Sequence, residues 1–348
     1  MKASLRSILL LVFILLPLHI GCSSIQYFTG IEQFKECSNN PALSPGPSGD
    51  FDGGSVRDNV VWSGRGKIWT LYTAAQFGIP PYYPSIGIAS SSDGCTWTKG
   101  GQVIVPNSLV RACSGGIFSP AVLYDGKSDV LTIAVSCVDN PSHWYTGPAA
   151  IAELQTSAGA DWTSPASYSW QNSGQPVLVS SQSWEGTQGV YAPGLTEQNG
   201  TYYMYYSSSS PDASYRIGIA SATSPLGPWN KSAKNPITPS STNCEEPAPL
   251  ILSSGDTYIL CDTVGMDRRG FNVFSAIGSN PLAASNWSQR GIYDIPDKPN
   301  WSSGEIGSQS IIELSDGRIL ITYNAKPAGT ESDVRKIGFA FFEFQNPK

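Results

Sequence analysis

Ile86-Gly-Ile-Ala-Ser-Ser-Ser-Asp-Gly-Cys-Thr-Trp97 and Ile217-Gly-Ile-Ala-Ser-Ala-Thr-Ser-Pro-Leu-Gly-Pro-Trp229 are one pattern written twice: a short apolar strand, a turn rich in Ser, Asp, Gly and Pro, then a tryptophan. Looser copies run from Ala150 to Trp162 and from Phe274 to Trp287, and a fifth begins at Ile337 as the chain ends. The four tryptophans recur at intervals of 65, 67 and 58 residues, the mark of one supersecondary unit repeated along the chain.

Ahead of each copy, two strand-like runs flank a Gly-containing turn: Val60 to Trp62 with Ile68 to Thr73, Ala121 to Tyr124 with Val130 to Val135, Gly194 to Thr196 with Tyr202 to Ser207, Leu250 to Leu252 with Thr257 to Cys261, and Ser310 to Glu313 with Arg318 to Tyr323. One unit is therefore four short strands, and there are five units. The expectation is an all-β chain, a five-bladed β-propeller with four antiparallel strands per blade. A β-sandwich is the competing all-β fold, but it does not demand a regular repeat of this length. No amphipathic helix and no linker interrupts the sequence, so residues 37–348 read as a single domain.

Composition narrows the function. Charged residues make up 14% of the chain and the net charge is −6, which gives no basic surface for nucleic acid. The 10 tryptophans and 16 tyrosines suit a protein that handles neutral sugars, although most of them are expected to fill a β core. Residues 1–22 place Lys2 and Arg6 before an apolar run from Ile8 to Leu18, too short to span a bilayer comfortably and set where a signal peptide would be. The protein is thus expected to be secreted and monomeric. Gly21-Cys22-Ser23 offers an alternative, lipid attachment through Cys22, as the one route to a membrane.

Six further cysteines suit an oxidising compartment. Cys244 and Cys261 lie symmetrically about one hairpin turn, Cys113 and Cys137 about another, and each pair can face across its hairpin. Cys37 is left for Cys95.

Propeller geometry brings five inner-strand starts to one mouth: Arg57-Asp58, Ser119-Pro120, Ala192-Pro193, Glu245-Glu246-Pro247 and Ser308-Gln309. The same mouth receives loops that include Gly78 to Tyr83, Asn140-Pro-Ser-His-Trp-Tyr145 and Met266-Asp-Arg-Arg269. Two carboxylates facing one mouth are what glycoside hydrolysis requires, one protonated to assist the leaving oxygen and one ionised to activate water. Asp58 and the Glu245/Glu246 pair meet that need. Only one of the two glutamates is expected to face the channel, because neighbours along a strand point to opposite faces. His143, Trp144, Tyr145, Tyr191 and Arg269 are the candidate substrate contacts.

At these residues the sequence resembles glycoside hydrolase family 43 and its five-bladed relatives. The entry segment ending in Gly54-Ser-Val-Arg-Asp58, the run Tyr191-Ala-Pro with Gly200-Thr-Tyr-Tyr-Met-Tyr-Tyr206 and Ser224-Pro-Leu-Gly-Pro-Trp229, and Glu245-Glu246-Pro247 carry the likeness. The resemblance implies an inverting glycosidase on plant-type polysaccharide such as arabinan or xylan, with Asp58 as base. Its Glu-x-Pro spacing makes Glu245 the acid, whereas alignment to Ser119-Pro120 and Ala192-Pro193 points to Glu246. Base and acid are expected roughly 6.5–9.5 Å apart.

Two positions depart from the family pattern: Asn59 follows the base where a proline is usual, and Ala192 stands where an aspartate normally holds up the pKa of the acid. Glu185, or whichever of Glu245 and Glu246 is not the acid, is the candidate substitute. No cofactor is expected, although the resemblance allows a structural calcium. The alternative function is a catalytically inactive propeller that binds carbohydrate or protein. A sialidase reading, from Ser91-Ser-Asp-Gly-Cys-Thr-Trp97, is weaker because the motif occurs once and is one residue short.

Overall fold

The computed structural model describes residues 27–76, 83–144, 146–263, 270–278, 280–296, 299–329 and 333–345. Residues 1–22, expected to be a signal segment, with Cys22, and Tyr145, Arg269 and most of the Gly78 to Tyr83 loop lie outside them. Among the described residues the first strand is β1 (Ile31–Glu36). Blade one follows as β2 (Ser55–Gly64), β3 (Lys67–Ala75), β4 (Ser85–Ser91) and β5 (Thr98–Ile104), and blade two as β6 (Gly116–Asp125), β7 (Val130–Val138), β8 (Ala150–Gln155) and β9 (Ser169–Trp170). Blade three is β10 (Tyr191–Gln198), β11 (Thr201–Ser209), β12 (Tyr215–Ala222) and β13 (Asn230–Lys231). Blade four is β14 (Cys244–Ile251), β15 (Thr257–Thr263), β16 (Gly270–Ala276) and β17 (Trp287–Asp294), and β18 (Ile306–Glu313), β19 (Ile319–Ala325) and β20 (Lys336–Phe344) end the chain.

These strands form five four-stranded sheets whose pairings are antiparallel throughout. The last sheet has the order β1-β20-β19-β18, so the outermost strand of blade five comes from the start of the chain. β1 lies before residue 37, where the sequence reading began the domain; the ring is closed by residues that carry no copy of the repeat.

The recurring tryptophan has a packing reason. Each one wedges against the blade before its own: Trp97 stacks on Phe339 at 4.4 Å, Trp162 meets Trp62 and Trp69 edge-on at 5.8 and 5.2 Å, Trp229 donates its indole N–H to Glu153, and Trp287 meets Tyr205 at 6.1 Å. In the closing strand Phe34 packs against Tyr293 of blade four at 5.7 Å. A radial sheet cannot bury its own faces, so large rings at the seams supply much of the apolar area the fold needs. All three cysteine pairings expected from the sequence are formed: Cys37–Cys95, Cys113–Cys137 and Cys244–Cys261.

One further device shapes the mouth. Every inner strand has a register break near its start, and the residue at the break is left-handed: Asp58, Ser119, Ala192, Glu246 and Ser308 have φ between +43° and +54°. Such a bulge turns the strand and frees a backbone N–H from the ladder. The preceding blade satisfies it: Thr73, Ser136, Ser207 and Asp262, near the ends of β3, β7, β11 and β15, accept from the N–H of Ser119, Ala192, Glu246 and Ser308, each at 2.8 Å. Asn324 on β19 completes the ring differently, giving its Nδ2 to Asp58 Oδ1 at 3.2 Å.

Candidate active site

Four of the five bulge residues, Asp58, Ser119, Glu246 and Ser308, line a cavity of about 460 Å³. Its walls are polarised. Among the described residues, every charged one that lines it comes from blades four, five and one: Glu245, Glu246 and Asp262, then Glu305, Lys326, Asp333 and Arg335, then Arg57 and Asp58. The described aromatic lining residues, Phe118, Trp144, Tyr191 and Tyr215, come from blades two and three. Below the floor the axis narrows to a space of about 30 Å³ between the bulge residues, room for a water molecule.

Asp58 is buried, and its Oδ1 accepts from Arg57 Nε at 2.9 Å, Ser308 Oγ at 2.8 Å and Asn324 Nδ2 at 3.2 Å. The amide of Asn324 is held in that orientation because its Oδ1 accepts from Arg335 at 3.1 Å, and a guanidinium can only donate. Arg335 also pairs with Glu305 at 2.5 Å and Asp333 at 2.9 Å, while Arg57 reaches the same Asp333. Blades five and one are thereby tied by an alternating chain of cations and carboxylates beside Asp58.

Both blade-four glutamates line the cavity, which corrects the expectation that only one would. Alternation along β14 breaks at the bulge, where Glu246 has φ +54°. Glu245 Oε1 accepts from the Tyr191 hydroxyl at 2.7 Å. Burial first, then the nearby Glu245 charge, pushes the Tyr191 hydroxyl well above its ordinary pKa, so it remains a donor. Glu246 shares the Ser308 hydroxyl with Asp58. Desolvation, followed by the charges of Asp58, Asp262 and Glu245, raises its carboxyl well above the usual range, even though part of the residue opens on the cavity.

The remaining candidates divide. Trp144 and Tyr191 line the cavity, both packed in one cluster with Phe118, Ala149, Ala192 and Tyr215, so Trp144 offers the cavity only a small part of its surface. His143 does not line it; the ring is half-buried and bonded to Asp139 at 3.0 Å. Glu185 is also elsewhere, its carboxylate held in blade three by Lys231, Tyr206 and the N–H groups of Ser181 and Gln182, and it cannot replace the aspartate missing at Ala192. Asp93, of the sialidase-like motif, caps its own turn by accepting from the N–H groups of Cys95 and Thr96, which lowers its pKa to about 2. The calcium that the resemblance allows would need six to eight oxygens about one point. Among the described residues no group of three or more His, Cys, Asp or Glu side chains could hold a metal ion.

Sequence reasoning missed Asp262, Ser308 as a ligand of both acids, and the Arg57–Asp333–Arg335–Glu305 chain. Asp262 had a signal: with the blades aligned it falls in the series Thr73, Ser136, Ser207, Asp262, Asn324.

Residues 160–284, from the end of blade two into blade four, match the family model described as glycosyl hydrolases family 43. No curated protein matches the chain by sequence. Among solved structures the chain is similar to a family 117 glycoside hydrolase of the marine bacterium Zobellia galactanivorans, at 15% identity over 89% of this chain and 90% of that one, with a TM-score of 0.67. It is also similar to an α-L-arabinofuranosidase from Lactobacillus brevis, at 14% identity over 82% and 91%, TM-score 0.59. A sucrose-6-phosphate hydrolase from Lactobacillus gasseri is 12% identical over 89% and 63%, TM-score 0.62. The chain is a five-bladed propeller by its fold, and its residues 160–284 are similar to glycosyl hydrolases family 43.

Proposed function

We propose that the protein is an inverting glycosidase acting on neutral, plant-type polysaccharide or oligosaccharide of the arabinan or xylan kind, with Asp58 as general base and Glu245 as general acid. The observation that carries the reading is that Asp58 and Glu245, from blades that are not neighbours, line one sugar-sized cavity walled on its other side by aromatic rings. Three donors hold Asp58 Oδ1, and among the described residues none occupies Oδ2, which leaves that oxygen to take a proton from water. Glu245, fixed by Tyr191 next to the aromatic wall, is placed to protonate the leaving oxygen. The family's spacing supports the choice of Glu245, and the likeness to an arabinofuranosidase supports the substrate class. The protein acts outside the cytoplasm, consistent with its three disulfides, as a monomer exported through residues 1–22.

Convergence of several carboxylates on one cavity favours catalysis over the alternative of a binding propeller. The test is release of reducing sugar from arabinans, xylans and aryl glycosides by the wild type and by Asp58→Asn, a replacement that tolerates the left-handed backbone of this position. A loss of roughly 10²–10⁴-fold in the variant is expected for removal of a general base. A folded wild type that is silent on every substrate overturns the reading in favour of binding.

A further inference from the structure

Ser308 Oγ lies within hydrogen-bond distance of both Asp58 Oδ1 and Glu246 Oε2. A hydroxyl has one hydrogen to give, and an ionised carboxylate has none. Two carboxylates can therefore share this hydroxyl only if one of them brings a proton of its own. Asp58 Oδ1 already accepts from Arg57 and Asn324, which leaves no room on that oxygen for a hydrogen of its own to give the serine. The proton belongs on Glu246.

The surroundings hold this arrangement from several sides. Ser308 is pinned by its N–H to Asp262 Oδ1 at 2.8 Å. At Gly307 a Cβ would come within 2.2 Å of Asp262 Oδ2, so only glycine lets that carboxylate approach. The carbonyl of Glu246 accepts from Gln309 Nε2 at 2.8 Å, and its N–H from the same peptide neighbourhood is tied to Ser207. Separation argues in the same direction. Two oxygens joined through one hydroxyl stand no more than roughly 5.5 Å apart, whereas an inverting base and acid need roughly 6.5–9.5 Å to admit water and the scissile bond.

Resting on the glycosidase reading, we propose that Glu246 and Ser308 form a positioning unit for the base: protonated Glu246 donates to Ser308 Oγ and so commits the serine's only hydrogen to Asp58 Oδ1. Glu246 is then neither the acid nor the base. Its carboxyl works in the neutral form, and an amide can do the same task, because a glutamine N–H can donate to Ser308 Oγ just as the acid proton does.

The experiment compares Glu246→Gln, Glu246→Ala and Ser308→Ala in the intact, disulfide-bonded protein, with Ser308→Gly as a second variant because glycine accepts the φ of +47°. On any glycoside that the wild type cleaves, Glu246→Gln is expected to turn over roughly 10-fold or more faster than Glu246→Ala. Glu246→Ala and the Ser308 variants are expected to lose roughly 10- to 100-fold in kcat, the worth of one charge-assisted hydrogen bond, with KM unchanged. Rescue by glutamine and not by alanine is what a merely structural role does not give. Glu246→Gln as inactive as Glu246→Ala overturns the proposal and makes Glu246 a proton donor in the reaction. An infrared difference spectrum of wild type against Glu246→Gln at neutral pH provides a readout independent of turnover. A protonated-carboxyl band lost in the variant supports the unit even if no substrate is cleaved and the glycosidase reading falls; its absence removes the proton from Glu246 and ends the proposal.

Discussion

Replacing Glu153 by glutamine should make the protein's stability less sensitive to pH, and by an amount that its surroundings set. Glu153 sits on β8 at the seam of blades two and three, 1% exposed and outside the cavity. Trp229 donates its indole N–H to Oε1 at 2.8 Å, while Oε2 is buried with no hydrogen-bond partner. Burial raises the carboxyl from 4.5 to about 7, and the Trp229 bond opposes that rise only in part. A carboxyl whose folded pKa lies above its unfolded one binds its proton more tightly in the native state. Its contribution is fully present below about pH 4.5 and is lost as pH rises through about 7. The shift corresponds to roughly 3 kcal/mol. Glutamine does not titrate; its unpaired amide imposes a penalty that is the same at every pH. The difference in Tm between Glu153→Gln and wild type should therefore move in the variant's favour by roughly 5 °C between pH 4.5 and pH 8, from the entropy of unfolding of a chain this size. Melting curves across that range check it. A difference that stays flat with pH would refute the assignment of a neutral, buried Glu153.

Two other outcomes test the site and the fold. Glu245→Gln should lower kcat by roughly 10²–10⁴-fold on a polysaccharide, whose leaving oxygen needs a proton, and far less on an aryl glycoside with an acidic phenol; equal losses on both would remove Glu245 from the acid's role. Trp162→Ala should cost roughly 3–5 kcal/mol, because the ring is buried among Trp62, Trp69, Tyr124 and the Arg65 guanidinium; a urea midpoint close to that of wild type would mean the recurring tryptophans are not the wedges between blades.

The architecture was legible because the repeat is written in residues that do structural work. Trp97, Trp162, Trp229 and Trp287 recur since each seals the same seam, and the cysteine pairs sat symmetrically about turns that do form. Closure of the ring was not legible. β1 pairs with β20 from the other end of the chain, with Glu32 opposite Glu343 and Lys35 opposite Phe341, a match that neither local propensity nor the repeat announces. At the site, the sequence placed Asp58, Glu245, Glu246, Trp144 and Tyr191 at one mouth. It failed on whether Glu245 and Glu246 share a face, because strand alternation holds only where the ladder is regular. A left-handed bulge at a glutamate has no residue signature of the kind that glycine supplies.

The five bulges are built alike, yet the chemistry they present is not. Each inner strand delivers one side chain to the axis, and the series reads Asp58, Ser119, Ala192, Glu246, Ser308: inert in blades two and three, reactive in the other three. Before Ser119 and Ala192 the neighbouring positions are large and aromatic, Phe118 and Tyr191. Before Asp58, Glu246 and Ser308 they are charged or small, Arg57, Glu245 and Gly307. A sugar bound under the proposed function would rest its C–H face on the side of blades two and three and turn its scissile bond toward blades four and one. Ala192 is then not only a lost carboxylate. An aspartate there would add a further buried charge beside the aromatic wall, with Ser136 already committed to the backbone N–H. The protein instead gathers its carboxylates on one side, where Arg57, Asn324 and the Ser308 hydroxyl can satisfy Asp58 and where burial, then the neighbouring carboxylates, raise the pKa of Glu246.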